Sequence, residues 1–200
     1  MKLRAWVLLM GLPLLAADPH MTAGERAKAL KYLEESQAEF LAAIDGVTDA
    51  QWRWKPAPER WSVGEVAEHI VTAEGSMWGK IQSALAAPTN PQWETQTKGK
   101  TEIIEQVMAP RLGKATAPEP LVPKGDMTKA QVKARFLEQR AVLVKFARDT
   151  DAALKEHTAE HPFAMFNPLS AYQWLIYAPL HTMRHDKQIA EVKATPGYPN

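Results

Sequence analysis

Apolar residues recur at intervals of three and four along most of the chain, the period of one helix face. Four of these runs open on Ser or Thr with Glu or Gln three residues later, the pattern of a capping box. Thr22 and Glu25 precede Leu30, Leu33, Phe40, Leu41 and Ile44, which predicts a helix over about 22–44 ended by Asp45-Gly46. Ser62 and Glu65 precede Val66, Ile70, Ala73, Met77, Ile81 and Leu85, which predicts a second over about 63–86, stopping before Pro88. Thr128 and Gln131 open a run through Val132, Phe136, Leu143 and Phe146 to about 148. Ser170 and Gln173 open the last, with Trp174, Ala178, His181, His185, Ile189 and Val192 on one face to about 194. A shorter helix is expected at about 101–110, with Ile103, Ile104 and Val107 buried, and short turns at 48–53 and 150–155. The stretches 87–100 and 111–127 read as loops, the second broken by Pro118, Pro120 and Pro123.

No stretch alternates apolar and polar long enough to predict a strand, and no repeat is visible. The fold class expected is all-α: a four-helix bundle with long crossover loops and a short extra helix. A length of 200 residues suits one domain. With 24 basic and 23 acidic residues the net charge is +1, and Lys98, Lys100, Arg111 and Lys114 are only loosely clustered. Nucleic acid is therefore not an expected partner, since phosphate binding needs a concentrated cationic face. Cysteine is absent, which excludes disulfides, thiolate metal sites and Cys nucleophiles. Any metal must be held by His, Asp or Glu.

The first 17 residues have the layout of a secretory signal peptide: Lys2 and Arg4, an apolar run from Trp6 to Leu15, then Ala16-Ala17. The apolar run is far short of the roughly 20 residues of a membrane-spanning helix. The expectation is a leader at 1–17, a mature domain at 18–200 with no membrane span, and a periplasmic or secreted location. The other reading of this run is an apolar helix packed on the domain.

Six histidines carry the candidate chemistry. His181 and His185 are four apart on one helix face, so both imidazoles can reach one metal ion. A neutral His on an apolar face is also a common core residue, and the pair alone leaves both readings open. His69 lies on the inward stripe of the second long helix. If that helix neighbours the last one, three imidazoles converge. Three nitrogen ligands suit Zn, Ni, Cu or Fe rather than Mg or Ca, and three protein ligands leave the open position of a catalytic site. Glu74, Asp186 and Gln188 are candidates to orient a ligand His, or else lie on polar helix contacts. Trp61, Trp78 and Trp174 can line a pocket or fill the core. Pro179, two residues before His181, is expected to kink the last helix. His157 to His161 spells H-x-x-E-H, an inverted zinc-protease motif, but that motif needs a helix and Pro162 follows directly. A loop His near the mouth of the site is the better expectation there.

Three segments together resemble the DinB-like superfamily. They are Trp52-x-x-Lys55-Pro56 with Trp61-Ser62-Val63-Gly64-Glu65-Val66-Ala67-Glu68-His69-Ile70, then Glu74 and Trp78, then His181-x-x-x-His185-x-x-Gln188. The resemblance spans about 22–194, with the middle matching only in helical character. It implies a four-helix-bundle metalloprotein with His69, His181 and His185 as ligands of a divalent ion, Zn or Ni. It further implies a small-molecule substrate, possible homodimers, and either thiol-dependent transfer or hydrolysis. Known members include bacillithiol and mycothiol S-transferases and a maleylpyruvate isomerase, so a low-molecular-weight thiol is an expected partner. An exported setting departs from that cytoplasmic chemistry. A non-catalytic metal-binding or stress-related bundle is the alternative.

Overall fold

In a computed structural model described over residues 17–113 and 115–200, the chain is built on four long helices. They are α1 (Ala23–Ile44), α3 (Val63–Ala86), α6 (Lys129–Asp149) and α7 (Ala171–Lys193), with short helices α2 (Asp49–Arg53), α4 (Trp93–Thr97) and α5 (Lys100–Val107) between them. The leader expected at 1–17 lies, except for Ala17, outside the described residues. All four long helices start on the expected capping boxes, and α2 starts on a fifth formed by Thr48 and Gln51. Each box satisfies backbone N–H groups that the first turn otherwise leaves unpaired.

Three details differ from the sequence reading. The loop expected at 87–100 contains α4, and α5 stops at Val107 rather than residue 110. Here Leu112 N–H returns to the Val107 carbonyl and ends the helix. A two-residue antiparallel pairing joins β1 (Thr158–Ala159) to β2 (Leu169–Ser170), too short for any periodicity to announce. A turn forms at 154–156, overlapping only the end of the one expected at 150–155, and α7 runs on through Pro179.

The helices pack in the ring α1–α7–α3–α6, with α3 and α7 sharing the most extensive interface. Two of the three consecutive pairs among the long four therefore lie across diagonals, α1 opposite α3 and α6 opposite α7, whereas α3 and α6 are neighbours. The segments 45–62 and 150–170 make those diagonal crossings. One close approach depends on a glycine. A Cβ at Gly64 would lie 2.5 Å from Trp52 Nε1, whose N–H donates to the Met127 carbonyl at 3.0 Å.

The core is divided. Leu33, Ala73, Met77, Leu143, Leu175 and Met183 belong to one apolar cluster, and Phe40, Ile70, Val132, Phe136, Ile189 and Val192 to the other. Between them, on the same helix faces, sit Ser36, Glu74, Arg140, Thr182 and Asp186, all buried. Arg140 Nη1 donates to the Leu33 carbonyl at 2.7 Å and to Ser36 Oγ at 2.6 Å. Its Nη2 donates to Glu74 Oε2 at 2.6 Å and to Thr182 Oγ1 at 3.3 Å. One guanidinium thus touches all four long helices. Burial pushes the Glu74 carboxyl up, and the guanidinium opposes that push.

Removing one partner of a buried ion pair strands the other charge, which costs about 3–5 kcal/mol. Arg140→Leu should lower unfolding free energy by that order, and Arg140→Leu/Glu74→Leu should recover much of it. Equal losses in the single and double variants on urea unfolding would show that the pair is not the origin of the effect.

Candidate metal centre

His69 stands on the second turn of α3, seven residues past the Ser62 cap, and His181 and His185 stand one turn apart on α7. The shared α3–α7 interface brings the three together. One ligating nitrogen from each lies within 4.8 Å of the others, and all three residues are buried. Ring centroids are 5.1 Å apart for His69 and His181, 4.6 Å for His69 and His185, and 4.4 Å for His181 and His185. Two metal–nitrogen bonds of about 2.0–2.1 Å each span at most about 4 Å, so only small ring shifts separate this geometry from that of a shared ion. The donor set fits a divalent metal of the borderline type.

Two of the rings have a defined tautomer. His69 Nδ1 lies 2.7 Å from the Leu121 carbonyl, which can only accept. His69 therefore carries its proton on Nδ1 and keeps the Nε2 lone pair free. His185 Nδ1 lies 2.8 Å from Gln188 Oε1 and donates to it in the same way. His181 makes no protein hydrogen bond among the described residues, and its ring stacks on Tyr177 at 6.0 Å. Trp61 packs 5.0 Å from His69 and forms an apolar wall.

Burial holds all three histidines below the ordinary imidazole range. For His181 and His185 the shift is large, and the other imidazoles add to it. Neutral imidazole is the form that binds a metal, so the site is kept in its ligating state. Arg184, between the two α7 ligands, turns away to the carbonyls of Val107, Leu112 and Gly113.

Of the candidate orienting residues, only Gln188 is hydrogen-bonded to a ligand. Glu74 is instead bound to Arg140. Asp186 faces the Arg140 layer, both its oxygens are unpartnered among the described residues, and burial with nearby Glu39 raises it to about 8. Trp78 packs edge-on against Phe146 at 5.1 Å, away from the triad.

The H-x-x-E-H segment is not a helix, because Thr158–Ala159 is strand β1. His157 Nδ1 faces the Ala84 and Ala87 carbonyls, each at 3.1 Å. His161 is buried in a box of Phe163, Phe166, Trp174 and Tyr177, at centroid distances of 5.0–5.5 Å. Its Nδ1 accepts from Phe163 N–H at 3.0 Å. Through Tyr177 this box backs onto His181.

Two contributions to the site were missed. The Leu121 carbonyl comes from a 3-10 turn, Glu119–Leu121, inside the Pro-rich stretch read as irregular. Glu68, beside His69, accepts from Lys124 N–H at 2.7 Å and Gly125 N–H at 3.0 Å, pinning that stretch to α3. No side-chain pattern marks a backbone acceptor. An acidic residue on a buried helix face was a readable signal for Glu68.

An all-α bundle with three inward imidazoles between two of its helices defines a metal-binding bundle. The family model of the DinB superfamily matches residues 32–189, and the chain belongs to that superfamily. It is similar to the uncharacterized protein YuaE of Bacillus subtilis (strain 168), at 26% identity over 170 residues, 82% of this chain and 96% of YuaE. Its fold is similar to that of YfiT from Bacillus subtilis, described as a probable metal-dependent hydrolase with an unusual four-helix bundle topology. The TM-score is 0.54 at 16% identity, covering 90% of this chain and 91% of that one.

Burial lowers His161 from 6.5 to about 4. The unfolded chain takes up this proton near pH 6.5 and the folded chain only near 4. Stability is therefore full above pH 6.5 and falls as pH drops toward 4, by an amount on the order of 3 kcal/mol. His161→Phe, which keeps the aromatic packing, should make this limb shallower, the other buried histidines keeping their own share of it. Parallel acid limbs in urea titrations of parent and variant would contradict it.

Proposed function

We propose that the chain is a metal-dependent hydrolase or transferase acting on a small molecule, with His69, His181 and His185 as the ligands of a Zn- or Ni-type ion. The observation that carries this reading is the donor set itself. Three desolvated imidazoles converge, and two have Nδ1 committed to acceptors, which leaves the Nε2 lone pairs for the ion. When bound, the ion supplies Lewis acidity, lowering the pKa of a water or thiol ligand toward neutrality. Among the described residues no carboxylate belongs to the set, so its three ligands leave the positive charge of the ion uncompensated. Trp61 and Tyr177, packed against His69 and His181, exclude water from the flanks of the site. The family supports the metal, and the likeness to YfiT, described as a probable metal-dependent hydrolase, favours hydrolysis over other reactions. An exported location, which we propose from the leader, also favours water over a low-molecular-weight thiol as the nucleophile.

Elemental analysis of the untagged protein tests this directly. About one Zn or Ni per chain is expected, absent from His69→Ala and His185→Ala. Occupancy should decline only as pH falls below about 6, the ordinary imidazole range, because burial holds the three rings below it. A parent chain that takes up no divalent ion at neutral pH would overturn the reading. With metal established, ester and amide hydrolysis is screened beside conjugation of a thiol to an aryl halide. Turnover lost in His181→Ala identifies the reaction class.

A further inference from the structure

We propose that Arg111 is a positioning residue for the metal centre: through Gln188 it decides which ring nitrogen His185 turns toward His69 and His181. The proposal rests on the metal-centre reading above. Arg111 donates from Nε and Nη2 to the two oxygens of Glu191, at 2.8 Å and 3.1 Å. Its Nη1 donates to Gln188 Oε1 at 3.2 Å. That same oxygen accepts from His185 Nδ1 at 2.8 Å.

The chemistry of the amide gives this arrangement its meaning. A neutral imidazole has one donor and one acceptor nitrogen, and a Gln side chain offers both an acceptor and donors. A Gln–His pair alone is therefore satisfied in two ways. The amide oxygen can accept from Nδ1–H, or the amide can turn over and its NH2 donate to a bare Nδ1. Only the first leaves the Nε2 lone pair free for a metal ion. The second puts a proton on Nε2, where the ion must bind.

A guanidinium carries donors and no acceptor. With Arg111 against the amide, the turned-over state would set donor against donor, and it is removed. His185 must then donate from Nδ1. His69 needs no such device, because its partner is a backbone carbonyl that can only accept.

The loop is built to present this arginine. Arg184, from within α7, takes the carbonyls of Val107, Leu112 and Gly113 and so fastens the segment 107–113 beside the triad. Arg111 itself has a φ of 59°, the left-handed region that glycine adopts freely and other residues adopt at a cost. The side-chain bonds to Glu191 and Gln188 offset that cost.

Histidine 15N chemical shifts of the metal-free full chain at pH 7.5 read the tautomer without any metal. Zn2+ competition titration reads affinity separately. The parent should show His185 protonated on Nδ1. Arg111→Met should mix the two tautomers and weaken Zn2+ binding about tenfold or more, the usual scale for losing a group that orients a ligand. Arg111→Met/Gln188→Glu should restore both readouts, because a carboxylate only accepts and selects the same tautomer without help. A parental tautomer in Arg111→Met would overturn the proposal. So would failure of the double variant to recover, which would mark Arg111 as a loop tether only. If the parent binds no Zn2+ the metal reading falls, and the tautomer in the metal-free chains still decides the role of Arg111.

Discussion

A single buried guanidinium organises this bundle. Arg140 is fully buried and reaches a backbone carbonyl and a hydroxyl of α1, a carboxylate of α3 and a hydroxyl of α7 from its own place on α6. A buried charge is tolerated only when it is paired and hydrogen-bonded. The bundle can close only in the arrangement that delivers those partners together. Apolar stripes alone would let helices slide by a turn at modest cost. The Arg140 layer sets their register, and with it the heights at which His69 and the α7 histidines meet. Thr182, which holds Arg140, is the residue after His181. Asp186, in the same layer, is the residue after His185.

The triad on the neighbouring side of α7 follows the opposite logic. Its groups are kept neutral by burial rather than charged and paired, and the lone pairs of two of them are kept free by acceptors behind them. A carbonyl does this for His69. For His185 an amide does so, itself held by a guanidinium. The two polar regions therefore share a helix without competing. One holds its charge inside the core by compensation, and the other excludes charge until a cation arrives.

Much of this was legible in the sequence. The capping boxes at Thr22, Ser62, Thr128 and Ser170 announced the starts of the long helices, because each box is a local interaction needing only four residues. The three histidines were legible because two share an i, i+4 spacing and the third sits on an apolar stripe. Arg140 was equally visible and went unread. It lies four residues after Phe136 and three before Leu143, a charged residue on a buried face. Glu74 was read as a possible support for a ligand, but its partner is 66 residues away, at Arg140, a separation no local pattern encodes. The Leu121 carbonyl and the β1–β2 pairing were not legible at all. Both depend on backbone groups, and every residue type supplies those alike.

The passage from α3 to α6 explains why a loop carries so much of the site. His69 and His181 come from helices that are ring neighbours but distant in the chain, and the neighbour relation exists because α1–α3 and α6–α7 each cross the bundle. The passage from α3 to α6 is also long, and outside its short helices its backbone groups must find other partners. Here they find them at the triad. The Pro-rich stretch gives its Leu121 carbonyl to His69 and takes the Glu68 carboxylate on its own N–H groups. The segment 107–113 gives three carbonyls to Arg184 and brings Arg111 against Gln188. This one passage thus supplies the acceptor for His69 and the clamp on the Gln188 amide that serves His185. Shortening either segment would remove those groups even if all four long helices still packed.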